Sequence, residues 1–332
     1  AAVAEPILDI RVSDDGMPFF LHFDHRDVGD RPFGYMVENR LLRRALQDAV
    51  AESAVTWLAP VTLEAVERGA GGVRARLADG RRVRAALAVS AEGRDSTLRR
   101  DAGIRSLSWR YPQTAIVTTV AHERPHHGVA KEHFLPAGPF ALLPMAGNRS
   151  SLVWTERHAL AASMMALDDA EFDAEIGARA GDYWGAIRST GPRWSYPLGL
   201  QNAERYIDRR LALIGDAAHA MHPIAGQGLN LGLRDVAALA EVAVEAARLG
   251  LDIGGEAVLA RYQEWRRFDA LTMLLMTDGL NRLFSNRSGA IRLARGLGLG
   301  LVNVLPPAKH FFERRAAALT GDLPRLIRGA AL

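Results

Sequence analysis

Residues 211–235 read LALIGDAAHAMHPIAGQGLNLGLRD. An apolar run ends in Gly215-Asp216, a loop with Pro223, Gly226 and Gly228 follows, and then a long helical pattern begins. A carboxylate at the C-terminal end of a buried strand can accept bonds from a ribose hydroxyl. Glycines let the backbone approach a flat ligand closely. The first turn of the new helix aims unpaired N–H groups and a positive dipole end at that ligand. Such junctions are common in α/β proteins, so the glycines alone settle no function.

Outward from this stretch, residues 7–12 and 19–23 flank Asp14-Asp15-Gly16 and read as a hairpin. Residues 35–37 form a short strand entering a helix at Asn39, with Leu42, Leu46 and Ala49 stacked at helical spacing. Residues 73–77 and 82–86 flank Asp79-Gly80 as a second hairpin, and 87–90 is a buried strand. Strands are expected at 115–121, 131–135, 140–144, 151–154, 193–198 and 210–214. Helices are expected at 158–167 and 170–180, and the acidic run Asp168, Asp169, Glu171 and Asp173 fits a helix cap and first turn. From residue 229 the pattern is helical, with Leu229, Leu233, Val236, Ala240, Ala243 and Ala247 as its apolar stripe and Gly250 as its stop. Further helices are expected over 256–284, 290–303 and 309–319.

The whole chain has 332 residues, 48% of them hydrophobic and 24% charged, which suits a folded globular protein of two domains, or of one domain with a large insertion. No apolar run reaches the ~18 residues of a membrane-spanning helix. Cys is absent, which excludes disulfides, thiolate metal sites and cysteine nucleophiles. Lys131 and Lys309 are the two lysines, so the positive charge is almost all Arg. No basic run interleaved with aromatics marks a nucleic-acid surface. No G-x-S-x-G elbow supports acyl transfer. The opening residues 1–6 carry no signal-peptide pattern. His219 and His222 form an HxxH pair without a third obvious ligand, so no metal is expected. His126-His127 fits a solvated turn. Trp154, Trp184 and Trp194 could stack on a quinoid ring, although core packing is the commoner fate of Trp in a sheet domain. Arg40, Arg43 and Arg44 could touch a phosphate, although they fit a solvated helix face at least as well.

The string GDAAHAMHPIAGQGLNLGLRD resembles the second flavin fingerprint of class A FAD-dependent aromatic hydroxylases. Within them it is similar to the ubiquinone-biosynthesis hydroxylases of the UbiH, UbiF and UbiI kind. Residues 5–12 (EPILDIRV), 34–39 (GYMVEN), 90–99, 134–145, 191–198 (GPRWSYPL) and 278–285 (DGLNRLFS) agree, so the resemblance covers essentially the whole chain. It implies an α/β fold, with a Rossmann-like FAD/NAD(P)-binding domain, a mixed β-sheet substrate domain and C-terminal helices. The substrate domain is expected over 1–30 and 105–200, the FAD domain over 31–104 and 201–286, and the helices over 287–332. By the same resemblance Asp216 binds the ribityl or ribose region. Pro223, Gly226, Gln227, Gly228, Leu229 and Asn230 line the flavin ring, with Pro223 and Gln227 beside it. Glu38 and Asn39 form a strand-to-helix junction near the cofactor.

Two departures stand out. The family's N-terminal strand–GxGxxG–helix unit, roughly 30 or more residues long, is not among the 332 residues. The stretch Gly69-Ala70-Gly71-Gly72 sits in a hairpin and opens no helix, so it is no substitute. Since that unit normally holds the ADP pyrophosphate, weak FAD binding by these residues alone is expected. The family's Asp-Gly motif reads Glu92-Gly93 here, which bears on nicotinamide handling.

The activity implied is monooxygenation. NAD(P)H reduces FAD, O₂ adds at flavin C4a, and the resulting hydroperoxide hydroxylates a polyprenylated phenol in ubiquinone biosynthesis. The flavin carries the hard chemistry and no protein residue stands out as catalytic. A cytoplasmic protein in peripheral contact with the inner face of the membrane is expected, within a ubiquinone-biosynthesis complex and without nucleic acid. Two other readings stand beside this one: a non-catalytic prenyl-phenol-binding or complex-assembly member, and a flavin hydroxylase of a soluble aromatic acid.

Overall fold

The computed structural model describes residues 4–15, 20–27, 29–285 and 321–332. The chain divides into two compact units. One is Ala1–Val55, Tyr111–Leu198 and Leu280–Leu319, and the other is Thr56–Arg110, Gly199–Gly279 and Thr320–Leu332. Residues 31–55, assigned to the cofactor segments on sequence, group with the first unit. The reason is local: Gly34–Val37 pairs antiparallel with Ala4–Ile7 and carries helix Asn39–Ala51 with it. Helices expected at 290–303 and 309–319 lie outside the described residues.

The first unit is built on a sheet. Its strands run in the order Ser106–His122, Arg149–Arg157, Gly138–Met145, Val129–Leu135, Asp9–Asp14, Phe20–Asp24. Pairing is antiparallel except between Val129–Leu135 and Asp9–Asp14, which run parallel. Side chains alternate between the two faces of such a sheet. One face buries Ile116, Val120, Phe140, Leu142, Leu152 and Trp154 against Ala161, Phe172, Ile176 and Trp184. Trp154 and Trp184 are fully buried there, as expected of core tryptophans, while Trp194 is exposed. Helix Asp169–Ala180 opens with a capping box, Asp168 accepting from the Glu171 N–H at 2.8 Å and Glu171 accepting from the Asp168 N–H at 3.3 Å. The other face gathers Leu21, Phe23, Phe134 and Phe284 with Ile10, Val12, Phe33 and Leu280.

In the second unit the buried strand Leu211–Leu213 pairs parallel with Ala88–Ser90 and antiparallel with Ile207–Asp208. A separate three-stranded meander, Leu63–Gly69, Gly72–Leu77 and Arg82–Ala85, contains the expected hairpin at Asp79-Gly80. Helix Gly228–Arg248 follows the loop and ends where expected. Gly250 has φ +70°, its N–H donates to Ala247 O, and the Leu251 N–H donates to Ala246 O.

Two apolar stripes differ from expectation. In helix Gly228–Arg248 the buried side chains are Leu231, Arg234, Asp235, Ala237, Ala238, Leu239, Glu241, Val242 and Ala246, whereas Leu229, Leu233 and Val236 are exposed. Arg234, Asp235 and Glu241 share the inward face with Leu, Ala and Val, so a hydropathy pattern points the wrong way. Helix Asn39–Ala51 likewise has no buried residue, and Leu46 is exposed.

Candidate cofactor site

The loop after Leu211–Leu213 is shaped by two glycines in the left-handed region, Gly215 at φ +57° and Gly226 at φ +59°. A side chain at either would be strained. A Cβ at Gly226 or Gly228 would meet nothing within 4 Å, so the backbone there borders open space. Gly228 itself has no positive φ; the conformational demand falls on Gly226. Pro223 precedes the 3₁₀ turn Ile224–Gly226, and the Gly226 N–H donates to its carbonyl at 2.9 Å. Gln227 holds the N-cap position without a side-chain cap bond, and Asn230 Nδ2 donates to Gln227 Oε1 at 3.2 Å. The helix therefore presents first-turn N–H groups uncapped by a side chain, flanked by exposed Leu229 and Asn230.

Asp216 lies in the 3₁₀ turn Gly215–Ala217 with its side chain 48% exposed, and its Oδ2 is 3.5 Å from Arg94 Nε. The segment 92–99 is bound to this turn through Arg99. That buried guanidinium donates to Ala217 O at 2.9 Å and to Arg94 O at 2.6 Å. Gln201 Nε2 adds a bond to Arg94 O at 3.1 Å. Glu92 Oε2 accepts from Ser96 Oγ at 2.7 Å, Ser90 Oγ at 2.9 Å and the Leu98 N–H at 3.0 Å. Burial alone would raise its pKa, but these bonds prevail and lower it. The Glu92 carboxylate thus ties down the start of helix Thr97–Asp101, and Gly93 at φ +78° makes the turn between them.

Beneath the loop lies a network that the sequence reading missed. Asp235, fully buried, accepts from the Gly215 N–H at 2.9 Å, His219 Nε2 at 2.7 Å and Arg266 Nε at 2.8 Å. Arg266 Nη1 continues to Asp269 Oδ2 at 2.7 Å, which also meets Arg234 Nη1 at 3.2 Å. Burial pushes the Asp235 pKa up, and the bonds and charges of His219 and Arg266 bring it below the usual value. His219 is therefore a partner of Asp235. His222 Nδ1 accepts from the Ile224 N–H at 3.3 Å, and burial pulls its pKa down to about 4. Among the described residues no group of three or more His, Cys, Asp or Glu could hold a metal ion. The signal for Asp235 was present, since it closes the fingerprint string, but its partner Arg266 lies 31 residues away.

Glu38 and Asn39 belong to the other unit. Glu38 bonds Arg40 Nε at 2.7 Å and Arg149 Nη2 at 3.4 Å, and these arginines lower its pKa. Asn39 is the exposed first residue of its helix.

An open, glycine-bordered loop, an uncapped helix start and a half-exposed carboxylate suit a flat group with a negative edge and a hydroxylated chain. Residues 24–273 match the family model described as FAD binding domain. The chain belongs to that family, and it is an FAD-dependent monooxygenase of the aromatic-hydroxylase class. It is 55% identical to the ubiquinone hydroxylase UbiL of Rhodospirillum rubrum, over 99% of this chain and 77% of that protein. It is 36% identical to the 3-demethoxyubiquinol 3-hydroxylase of Escherichia coli, over 83% of this chain and 71% of that one. Among solved structures it resembles PqsL, a probable FAD-dependent monooxygenase from Pseudomonas aeruginosa. That match has TM-score 0.75 and 27% identity, covering 89% of this chain and 82% of the other.

Proposed function

We propose that this protein hydroxylates a polyprenylated phenol in ubiquinone biosynthesis, using FAD, NAD(P)H and O₂. The observation that carries this reading is the 211–235 loop, joined to 55% identity with a ubiquinone hydroxylase across nearly the whole chain. FAD, when bound, supplies the redox and oxygen chemistry. The chain's own residues bind and orient it. Asp216 would take the ribityl or ribose hydroxyls. Backbone groups of Pro223, Gly226, Gln227, Gly228, Leu229 and Asn230 would line the ring, where the helix dipole favours negative charge. Glu92 and Gly93 would shape the neighbouring turn. The unit carrying the loop would be the cofactor domain, and the sheet unit the substrate domain.

Among the described residues no helix is long and apolar enough to cross a membrane. A lipid-tailed phenol favours a protein working at the cytoplasmic membrane surface, within an assembly of biosynthetic enzymes. The test is incubation of the FAD-loaded protein with a prenylated phenol, NAD(P)H and O₂. Mass spectrometry should find one added oxygen on the ring, and FAD-loaded protein that consumes NAD(P)H without oxygenating the phenol would remove the proposal.

A further inference from the structure

Glu132 lies in the middle of strand Val129–Leu135, in register with Ala141 on one side and Val12 on the other. Strand alternation puts it on the face that carries Phe134, Val12 and Leu21, opposite the face packed by the two helices. Its sequence neighbours point the other way and are engaged. His133 Nδ1 bonds Ser13 Oγ at 2.8 Å, and Lys131 Nζ sits 4.9 Å from the centre of the Tyr183 ring. Glu132, half-buried, has no hydrogen-bond or ion-pair partner among the described residues. Beside it the Phe134 and Phe284 rings stack at 4.0 Å. The apolar surroundings push its pKa up to about 7, with burial the sole cause.

A carboxyl group placed in an apolar sheet face without a donor costs stability. It makes sense where a ligand supplies the missing hydrogen bond. The groups that face it from the adjoining strands are apolar: Val12 and Ile10, Leu21 and Phe23, Pro139, Ala141 and Leu143. Asp14, at the register position of Phe134, is a carboxylate on the same face, and the end of the long helix brings Leu280 and Phe284, neither titratable.

We propose that the Glu132 carboxylate binds the phenolic hydroxyl of the substrate and takes its proton as the ring is hydroxylated. The proposal rests on the aromatic-hydroxylase reading above. The phenol O–H bond breaks, its proton forms a new O–H bond on the carboxylate, and the electron pair stays on the phenolic oxygen. That pair feeds the ring, which becomes a better nucleophile toward the oxygen delivered by the NAD(P)H, FAD and O₂ chemistry. No further oxidant or reductant is needed, and the carboxyl later releases its proton to solvent. A base whose proton affinity lies near neutrality is better matched to this task than an ordinary carboxylate.

The experiment compares the FAD-loaded parent with Glu132→Gln on 2-geranylphenol, reading oxygenated product per NAD(P)H consumed from pH 5 to 8. The Gln variant should keep its FAD content, melt no lower than the parent and lose about 10²-fold in product formation. The parent should lose product formation below about pH 7, and the variant should lack this acid limb. A ring-fluorinated phenol, more acidic, should partly restore the variant. Product formation within about threefold of the parent, or an unchanged acid limb, overturns the role of Glu132. Should Glu132→Gln fail to fold, the parent's own profile decides, a flat one overturning the role. Glu132→Asp then serves as a second variant that must keep the acid limb. An FAD-loaded parent that forms no oxygenated phenol overturns the hydroxylase reading itself, and the role with it.

Discussion

Asp235 and Glu132 are both carboxylates inside folded protein, and their surroundings drive them in opposite directions. Asp235 collects three donors from Gly215, His219 and Arg266, so its charge is stabilised even in full burial. Glu132 collects none among the described residues, and its proton affinity rises accordingly. A saturated carboxylate can only hold structure, because every lone pair that matters is spent. An unsaturated one is available to something that arrives from outside. The fingerprint loop rests on the first kind, and the apolar face of the sheet offers the second.

The sharpest way to break this contrast is to remove the saturated member. Asp235→Ala takes from buried Arg266 one of its two carboxylate partners and from the His219 ring its acceptor, and should cost about 3–5 kcal/mol of stability in a denaturant melt. A smaller loss than Asp216→Ala causes would show that the network is incidental.

Acid separates the two carboxylates next. Asp235 is held below its ordinary value, so its stabilisation is complete above pH 3.8 and is lost as pH falls further. His222 acts in the same direction. It stays neutral in the fold down to about pH 4 but protonates near 6.5 when unfolded, so stability should fall as pH drops through that window. Glu132 has the reverse sign. The fold keeps its proton up to about pH 7 while the unfolded chain releases it near 4.5, so stability falls as pH rises between them. Glu132→Gln should therefore gain melting temperature relative to the parent from pH 4.5 to 7. A pH-independent difference would remove the contrast.

Smaller effects test the loop itself. Asp216→Ala should weaken FAD about ten- to a hundred-fold, the equivalent of a charge-assisted bond of roughly 1.5–3 kcal/mol, with an unchanged melt of the flavin-free protein. Flavin titration reads it directly. Gly226→Ala should cost about 1–2 kcal/mol from left-handed strain, whereas Gly228→Ala, in an ordinary helical position, should not destabilise the fold. Equal melts for the two would contradict the backbone assignment. At the far end, Arg105→Ala breaks a fully exposed pair with Glu204 and should leave the melt unmoved.

The sequence announced strands, hairpins and caps where the signal was local. Asp168 with Glu171, Asp79-Gly80 and Gly250 all landed where turn and cap chemistry put them. The fingerprint loop was legible for the same reason, as one uninterrupted stretch. What escaped was set by pairing across the chain. Arg234 and Asp235 face inward because Arg266 and Asp269 meet them, and no hydropathy pattern anticipates charges set among the Leu and Ala of a buried face. Glu132 was hidden differently: in KEHF it looks like an ordinary charged neighbour of Lys131. Only the register with Val12 and Ala141 reveals its isolation.

Gly215 and Gly232 touch backbone to backbone: a Cβ built on Gly232 would lie 3.3 Å from the Gly215 α-carbon. With no side chain between them, the strand end and the helix behave as the two leaves of a hinge pinned shut. Bulk placed on the helix at Gly232 would press directly on the turn that holds Asp216. A mutational library over this protein should accordingly treat positions 215 and 232 as a single coordinate, since bulk added at either one is felt at the other.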